Sequence, residues 1–543
     1  MKNSVRWYLL CSLLGAAFGV QVFPAAAQNA EVPVRSLSLQ ECWQLALKHN
    51  FDVRIERYNP QIADYALRML YGAYDPSLYS AASHSYSLAP GGVDSQNRPY
   101  VGSESETDSI SGGLRGLLPW GLNYAVGVGL SDQYGTRPGF SADLAHPQVS
   151  YVTLTNLLDP TQVFQYAVTN YLEFSTRDPF ENSSGQMGFL TLRQPLLRNF
   201  WIDGTRMTIA TKKKDLKSTD LALRSRVIQV LTSVQQAYYD LIYTYENVKV
   251  QQKALELAQR LLAENKKRVE VGAMAPLDEK SAESQAAISR AALLSAQQAL
   301  AVQQNTLKNL ISDDYTVWHD LQIQPAEKLM PQPAVFDLQA SWQKGMTQRP
   351  DLLQNRIAVE RQNIVLRYSR NQLYPTLDLT GTYGYMGSGK EFSGALGQIG
   401  NGDNNFYSVG MELNIPLSNR QARETHKLNK AQKEQLVLQL KQLEQTIMVQ
   451  IDNAVKAAQT SYEQLDATRQ AREFAQAALE AEQKKLANGK STSYQVLLLQ
   501  RDLTQRSSDE IQALAQYNKA LSSLTEAEGT TLEKNNLNLE FRP

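Results

Sequence analysis

Few side chains in this 543-residue chain could do chemistry, and they are dispersed. His49, His84, His146, His319 and His426 show no metal-ligand spacing, so each reads as a solvated or hydrogen-bonded surface residue. Gly384 to Lys390 reads G-Y-M-G-S-G-K, which has the glycine spacing of a phosphate-cradling loop. Glu391 stands where that loop needs a magnesium-binding Ser or Thr. Gly489-Lys490-Ser491 fails in the opposite way, with Lys484 in place of the first glycine. No nucleophile, base and orienting group converge in the pattern. The expectation is a protein that is not an enzyme, with no catalytic, cofactor-binding or metal residues.

The remaining polar pattern is a repeated elbow. Residues 265–278 read NKKRVEVGAMAPLD and residues 484–495 read KKLANGKSTSYQ, and both interrupt long glycine-free, proline-free stretches. Gly272 and Gly489 suit the left-handed residue that ends a helix, and Pro276 suits the first turn of the next. Asp278 and Glu279 then lie where a helix dipole favours carboxylates. Before the first elbow Val227, Val234, Leu241, Val248, Leu255, Leu262 and Val269 recur every seven residues, which implies supercoiled packing against neighbouring helices. A helix from Ile209 to Val271 would be about 95 Å long at 1.5 Å per residue. Leu293, Leu300 and Leu307 stripe the return, so the chain folds into a helical hairpin. Leu436, Leu440, Leu443, Ile447, Ile451 and Val455, followed by Leu503, Leu514 and Leu521, repeat the plan.

Other landmarks also recur. His49-Asn50-Phe51-Asp52 parallels Arg349-Pro350-Asp351-Leu352, Asp75-Pro76-Ser77-Leu78 parallels Tyr374-Pro375-Thr376-Leu377, and Arg193-Gln194-Pro195-Leu196 parallels Asn414-Ile415-Pro416-Leu417. This is an internal duplication of a helix–β–hairpin unit. Between the paired prolines, residues 377–385 and 407–415 alternate apolar and polar with tyrosines toward the ends. Such segments fit a strand with one face to lipid and one to a polar lumen, and equally a half-buried hairpin. The first half carries a longer β region, with candidate strands at 76–86, 108–118, 121–131, 163–174 and 185–194. A chain entering and leaving on the helical side must cross an even number of times, so at least one of these does not span. Either the insertion is an outer loop, or the 108–131 hairpin joins the wall.

Lys2 and Arg6, an apolar run from Trp7 to Val22 and Pro24-Ala25-Ala26-Ala27 read as a secretory signal with cleavage after Ala27. Cys42 alone then remains, too few for a disulfide framework. Lys plus Arg and Asp plus Glu balance at 54 each, which argues against nucleic acid as a partner. Past the signal no run of about 18 apolar residues occurs, so any membrane crossing must be a closed β-barrel.

The chain resembles the outer-membrane efflux protein family of TolC-like channels over nearly the whole mature sequence. The resemblance rests on the duplicated elbows Arg268-x-x-Val271-Gly272-Ala273 and Lys485-x-x-Asn488-Gly489-Lys490, on Arg349-Pro350-Asp351-Leu352, and on Pro375-Thr376-Leu377-Asp378-Leu379-Thr380. It implies a mixed α and β membrane protein: long coiled-coil hairpins forming an α-barrel, joined to a transmembrane β-barrel shared within a homotrimer. It implies a periplasmic tunnel, contact with outer-membrane lipid, and partnership with a periplasmic adaptor and an inner-membrane transporter.

Carried over by position, Val271, Gly272, Ala273, Asn488, Gly489 and Lys490 are adaptor-contact candidates. Asp278 falls at the periplasmic constriction; the family's paired gate aspartates fall at Gln495 and Leu498, so an acidic ring like that of TolC is not expected. The boundaries read as signal peptide 1–27, first repeat 28–312, connector 313–336, second repeat 337–528 and tail 529–543. The expected function is the outer-membrane channel of a tripartite efflux or type I secretion system, passively conducting substrate; the alternative is an exported coiled-coil scaffold or adaptor without a pore.

Overall fold

A computed structural model describes residues 34–95, 97–155, 161–331, 333, 335–535 and 537. The signal segment therefore lies outside the described residues. The chain opens with β1 (Val34–Leu37), α1 (Leu39–His49), α2 (Phe51–Glu56) and α3 (Tyr58–Tyr71). A β region follows: β2 (Ser77–Ala89), β3 (Gly92–Val93), β4 (Pro99–Tyr100), β5 (Ser103–Leu117), β6 (Asn123–Ala142), β7 (Gln148–Thr155), β8 (Val163–Asn170) and β9 (Glu173–Pro195). Next come α4 (Gly204–Glu270), α5 (Pro276–Ile311), α6 (Tyr315–Trp318) and β10 (Gln322–Pro325). The second half holds α7 (Leu338–Gln348), α8 (Pro350–Asn371), β11 (Thr376–Gly389), α9 (Phe392–Asn401), β12 (Asn405–Asn414), α10 (Arg420–Ala487), α11 (Ser493–Glu528) and α12 (Thr531–Lys534).

The duplication is visible in element lengths. α4 and α10 have 67 and 68 residues, and α5 and α11 have 36 each. At 1.5 Å per residue the two long helices reach about 100 Å. Neither contains an internal glycine or proline after its first residue, so nothing in the backbone kinks them. Val227, Val234 and Leu241 of the seven-residue stripe are fully buried against α1 and the β1–β10 pair. Farther along, Leu255, Leu262 and Val269 are only half-buried, and Ala258, Leu261 and Asn265 take over the buried face. A second cluster of Leu352, Ile447, Ile451, Val455 and Leu524 anchors the other half. Gly345 sits where a Cβ would come within 2.5 Å of Ile451 Cδ1, which lets α7 lie against α10.

One six-stranded antiparallel sheet runs β12-β11-β9-β6-β5-β2. Both halves of the duplication thus contribute to a single wall. The 108–131 hairpin is part of it, since β5 and β6 lie between β2 and β9. Of the two readings of the insertion, the outer-loop one is corrected: the central pairs Leu114↔Val126 and Ile110↔Leu130 extend the same apolar face. The candidate at 163–174 is the one outside the wall. It becomes β8, paired only with β7 in a separate hairpin. At about 3.3 Å per residue the 20-residue β6 and 23-residue β9 exceed the ~25 Å apolar band of a membrane wall. Their far ends therefore extend past it.

Cys42 is fully buried beside Trp43, and burial pushes its thiol up to about 12. Native protein at pH 8 should resist maleimide, with rapid labelling after unfolding in guanidinium; fast native labelling would contradict this packing. Deleting residues 103–142 removes two central strands. Loss of heat-modifiable migration in detergent is the expected outcome, and its retention would return the hairpin to the status of an accessory loop.

Candidate functional site

The two elbows have the same geometry. α4 is C-capped by Val271, Gly272 has φ +77°, Gly272 N–H donates to Val269 O at 2.9 Å, and Ala273 N–H donates to Arg268 O at 2.8 Å. α10 is C-capped by Asn488, Gly489 has φ +72°, its N–H donates to Leu486 O at 3.1 Å, and Lys490 N–H donates to Lys485 O at 2.8 Å. A Cβ on either glycine would meet nothing within 4 Å, so dihedral demand alone places glycine there. All six expected tip residues, Val271, Gly272, Ala273, Asn488, Gly489 and Lys490, are exposed.

Asp278 and Gln495 occupy the same position, the third residue of the returning helix. α11 is capped by Thr492, whose hydroxyl accepts from Gln495 N–H at 3.4 Å, while Ala275 offers α5 no side-chain cap. Leu498 is exposed, 46% of its surface remaining accessible. Among the described residues no hydrogen bond or ion pair joins Asp278 to Gln495 or Leu498. What brings the turns together is a residue the pattern did not single out. Asn265 is buried on α4, donates to Asp278 O at 3.4 Å and accepts from the buried Ser493 hydroxyl at 2.8 Å. It ties both legs of the first hairpin to the second. Leu261, Leu479, Leu486, Val496 and Leu497 pack around that bond. Hydrogen bonds from Ser491 and Lys485 hold the Glu482 carboxyl below its ordinary range, fixing the second turn.

Higher up, the α4–α11 seam is polar. Lys519 Nζ lies 2.9 Å from Asp240, the Ser508 hydroxyl donates to Asn247 at 2.8 Å, and the Ser522 hydroxyl donates to Gln235 at 3.0 Å. These side chains are half-buried, and Ser522 is buried, so each bond is specific in its geometry and the seam fixes registry between α4 and α11.

The sheet has two chemically distinct faces. Leu78, Ile110, Leu114, Val126, Met411 and Leu413 lie on one and are all substantially exposed in the single chain. The other carries Ser, Thr, Gly and Asn, with Arg193 Nη2 bonded to the buried Asp378 carboxylate at 2.6 Å. An apolar outside and polar inside is the composition of a membrane β-wall around water. Among the described residues no helix is long and apolar enough to cross a membrane, and no group of His, Cys, Asp and Glu could hold a metal ion.

A two-faced sheet continuous with helical hairpins about 100 Å long is the architecture of outer-membrane channels. The family profile described as "Outer membrane efflux protein" matches residues 167–312 and 343–530, more than half of the chain. The chain belongs to that family. No curated protein matches it. Among solved structures it is similar in fold to a membrane protein from Pseudomonas aeruginosa (18% identity, TM-score 0.61, 90% of each chain covered). It is also similar to the Campylobacter jejuni CmeC outer membrane channel (15%, 0.59, 93% of this chain and 90% of that one), and to the outer membrane protein VceC of Vibrio cholerae (16%, 0.59, 90% and 96%).

Asn265→Ala leaves the Ser493 hydroxyl without its partner, a cost of about 1–3 kcal/mol, and should raise amide exchange at both tips while leaving the β1–β10 region protected. Unchanged exchange at residues 265–280 and 486–498 would show that the bond does not hold the turns.

Proposed function

We propose that this chain is the outer-membrane channel of a tripartite efflux or type I secretion system, working as a homotrimer that passively conducts substrate from an inner-membrane transporter and periplasmic adaptor. One observation carries the reading. The six-stranded wall ends in β2 on one side and β12 on the other, with no further strand bonded to either among the described residues. Inside lipid such edges are untenable, and copies of the same chain offer the complementary edge.

Three copies of this wall would give a barrel of eighteen strands. With strands about 4.8 Å apart and tilted about 40°, its backbone diameter is about 36 Å. A compact 60.7 kDa protein should expose about 20,000 Å², whereas this chain exposes 35527 Å². Ile288, Val302, Leu438, Val449 and Phe474, each more than half exposed on α5 and α10, supply helical surface for neighbouring subunits to cover. The hairpins then line a periplasmic tunnel, Val271–Ala273 and Asn488–Lys490 meet the adaptor, and Asp278, Gln495 and Leu498 line the constriction. Residues 28–312 and 337–528 act as the two repeats of each subunit, joined by the connector 313–336 and followed by the tail 529–543. The mature chain starts after the signal at residues 1–27. A pore-less exported scaffold has no use for a sheet of lipid-length apolar rows.

Purified protein should run as a heat-modifiable trimer and open discrete ion-conducting steps in planar bilayers; a soluble, non-conducting monomer would overturn the assignment. If Asp278 lines the constriction, Asp278→Asn should reduce cation preference in reversal-potential measurements. An unchanged reversal potential would remove it from the conduction path.

A further inference from the structure

The polar face of the wall is interrupted by one apolar rung. Tyr79, Gly113, Gly127, Phe189, Gly384 and Phe406 stand opposite one another across all six strands, aromatic residues alternating with glycines. The rings lie over the glycines. A Cβ on Gly127 would come within 2.9 Å of the Tyr79 hydroxyl and 2.8 Å of Phe189 Cζ, and one on Gly384 within 3.0 Å of Phe406 Cε1. All three aromatics are half-buried, although neighbours along their strands are exposed. They therefore tile the wall and offer ring faces to the lumen. With strands about 4.8 Å apart and tilted about 40°, each rung is an inclined track about 24 Å long.

The next rung toward the helices is polar: Ser77, Arg115, Ala125, Thr191, Thr382 and Ser408. Arg115 Cζ lies 5.5 Å from the Tyr79 ring centroid. Arg193 is paired with Asp378, but among the described residues Arg115 makes no ion pair. A recess of about 420 Å³ opens beside it, lined by Asp75, Ser77, Arg115, Asn123, Thr191 and Arg193, so two guanidiniums face one carboxylate beyond the Asp378 pair.

We propose that this rung and Arg115 form a lumenal binding track for planar aromatic anions. A ring stacks on Phe189 or Phe406 or slots beside Tyr79, and its carboxylate takes the bidentate donors of Arg115 with hydroxyls of Ser77 and Thr191 alongside. Flat apolar faces bordered by one unpaired guanidinium select for ring and negative charge together. Aliphatic acids lack the first and neutral aromatics the second. Inference of a lumen rests on the channel assignment above.

Detergent-solubilised protein and matched protein-free micelles are compared by saturation-transfer difference NMR with benzoate, cyclohexanecarboxylate and benzyl alcohol. Benzoate should give the strongest signal. Phe189→Leu with Phe406→Leu should reduce it several-fold, and Arg115→Gln should bring it down to the benzyl alcohol level. Equal signals for the two acids, or a benzoate signal unchanged by Arg115→Gln, would overturn the track. Arg115 is exposed, so that variant remains informative even if the double aromatic variant misfolds. The unmodified protein is also scored for heat-modifiable trimers. Trimers without benzoate preference overturn the track alone, whereas absence of trimers overturns the channel assignment and the track with it.

Discussion

A β-strand surrounded by hydrocarbon must have both edges hydrogen-bonded, because no water is present to take up its amides and carbonyls. Here that requirement is met at every junction inside the wall, from β12 through β11, β9, β6 and β5 to β2, and left unmet at the two ends. Most other features follow from it. Alternation along β12 sends Val409, Met411 and Leu413 outward and Ser408, Glu412 and Asn414 to the polar side, so one slipped residue would exchange the faces. One bulge on β9 at Gly188, which has φ +64°, shifts the register against both β6 and β11 and lets β9 serve both without losing that alternation.

The helices are an answer to distance. A 67-residue helix cannot be buried in one globular core, and α4 divides its length among different neighbours: α1 and the β1–β10 pair in the middle, α11 along a polar seam, and the Asn265 and Leu261 cluster at the tip. The middle is where the core is deepest, with Val227, Leu231, Val234, Tyr238 and Leu241 fully buried. Toward the tips apolar burial thins and side-chain hydrogen bonds take over registry. Such an arrangement places the weakly buried tips away from the deepest part of the core.

Periodicity made much of this legible. Seven-residue spacing located both hairpins, and period-two alternation located the strands at 377–385 and 407–415, which pair as Leu379↔Met411 and Tyr383↔Tyr407. Parity required that one first-half candidate not span, and residues 163–170 turned out to be the separate strand. What escaped lacked a periodic signal. α9 contains Gly394, Gly397 and Gly400, so its own helix propensity is poor; it forms because Ala395 and Ile399 pack on the outer part of the wall around Leu130, Gly185 and Gly387. Asn265 looks like any solvated helix residue until the partner hairpin is in place. The aromatic rung is invisible for a similar reason, since its six residues come from six strands and only register brings them into line.

The most direct test of the account is intermolecular pairing of the free edges. In a Cys42→Ser background, Ser80→Cys on β2 is combined with single cysteines at successive positions along β12, and membranes are oxidised before denaturing electrophoresis. Covalent dimers and closed trimers at one register are the expected result. Disulfides forming only within single chains would show that the wall closes on itself, and would contradict it.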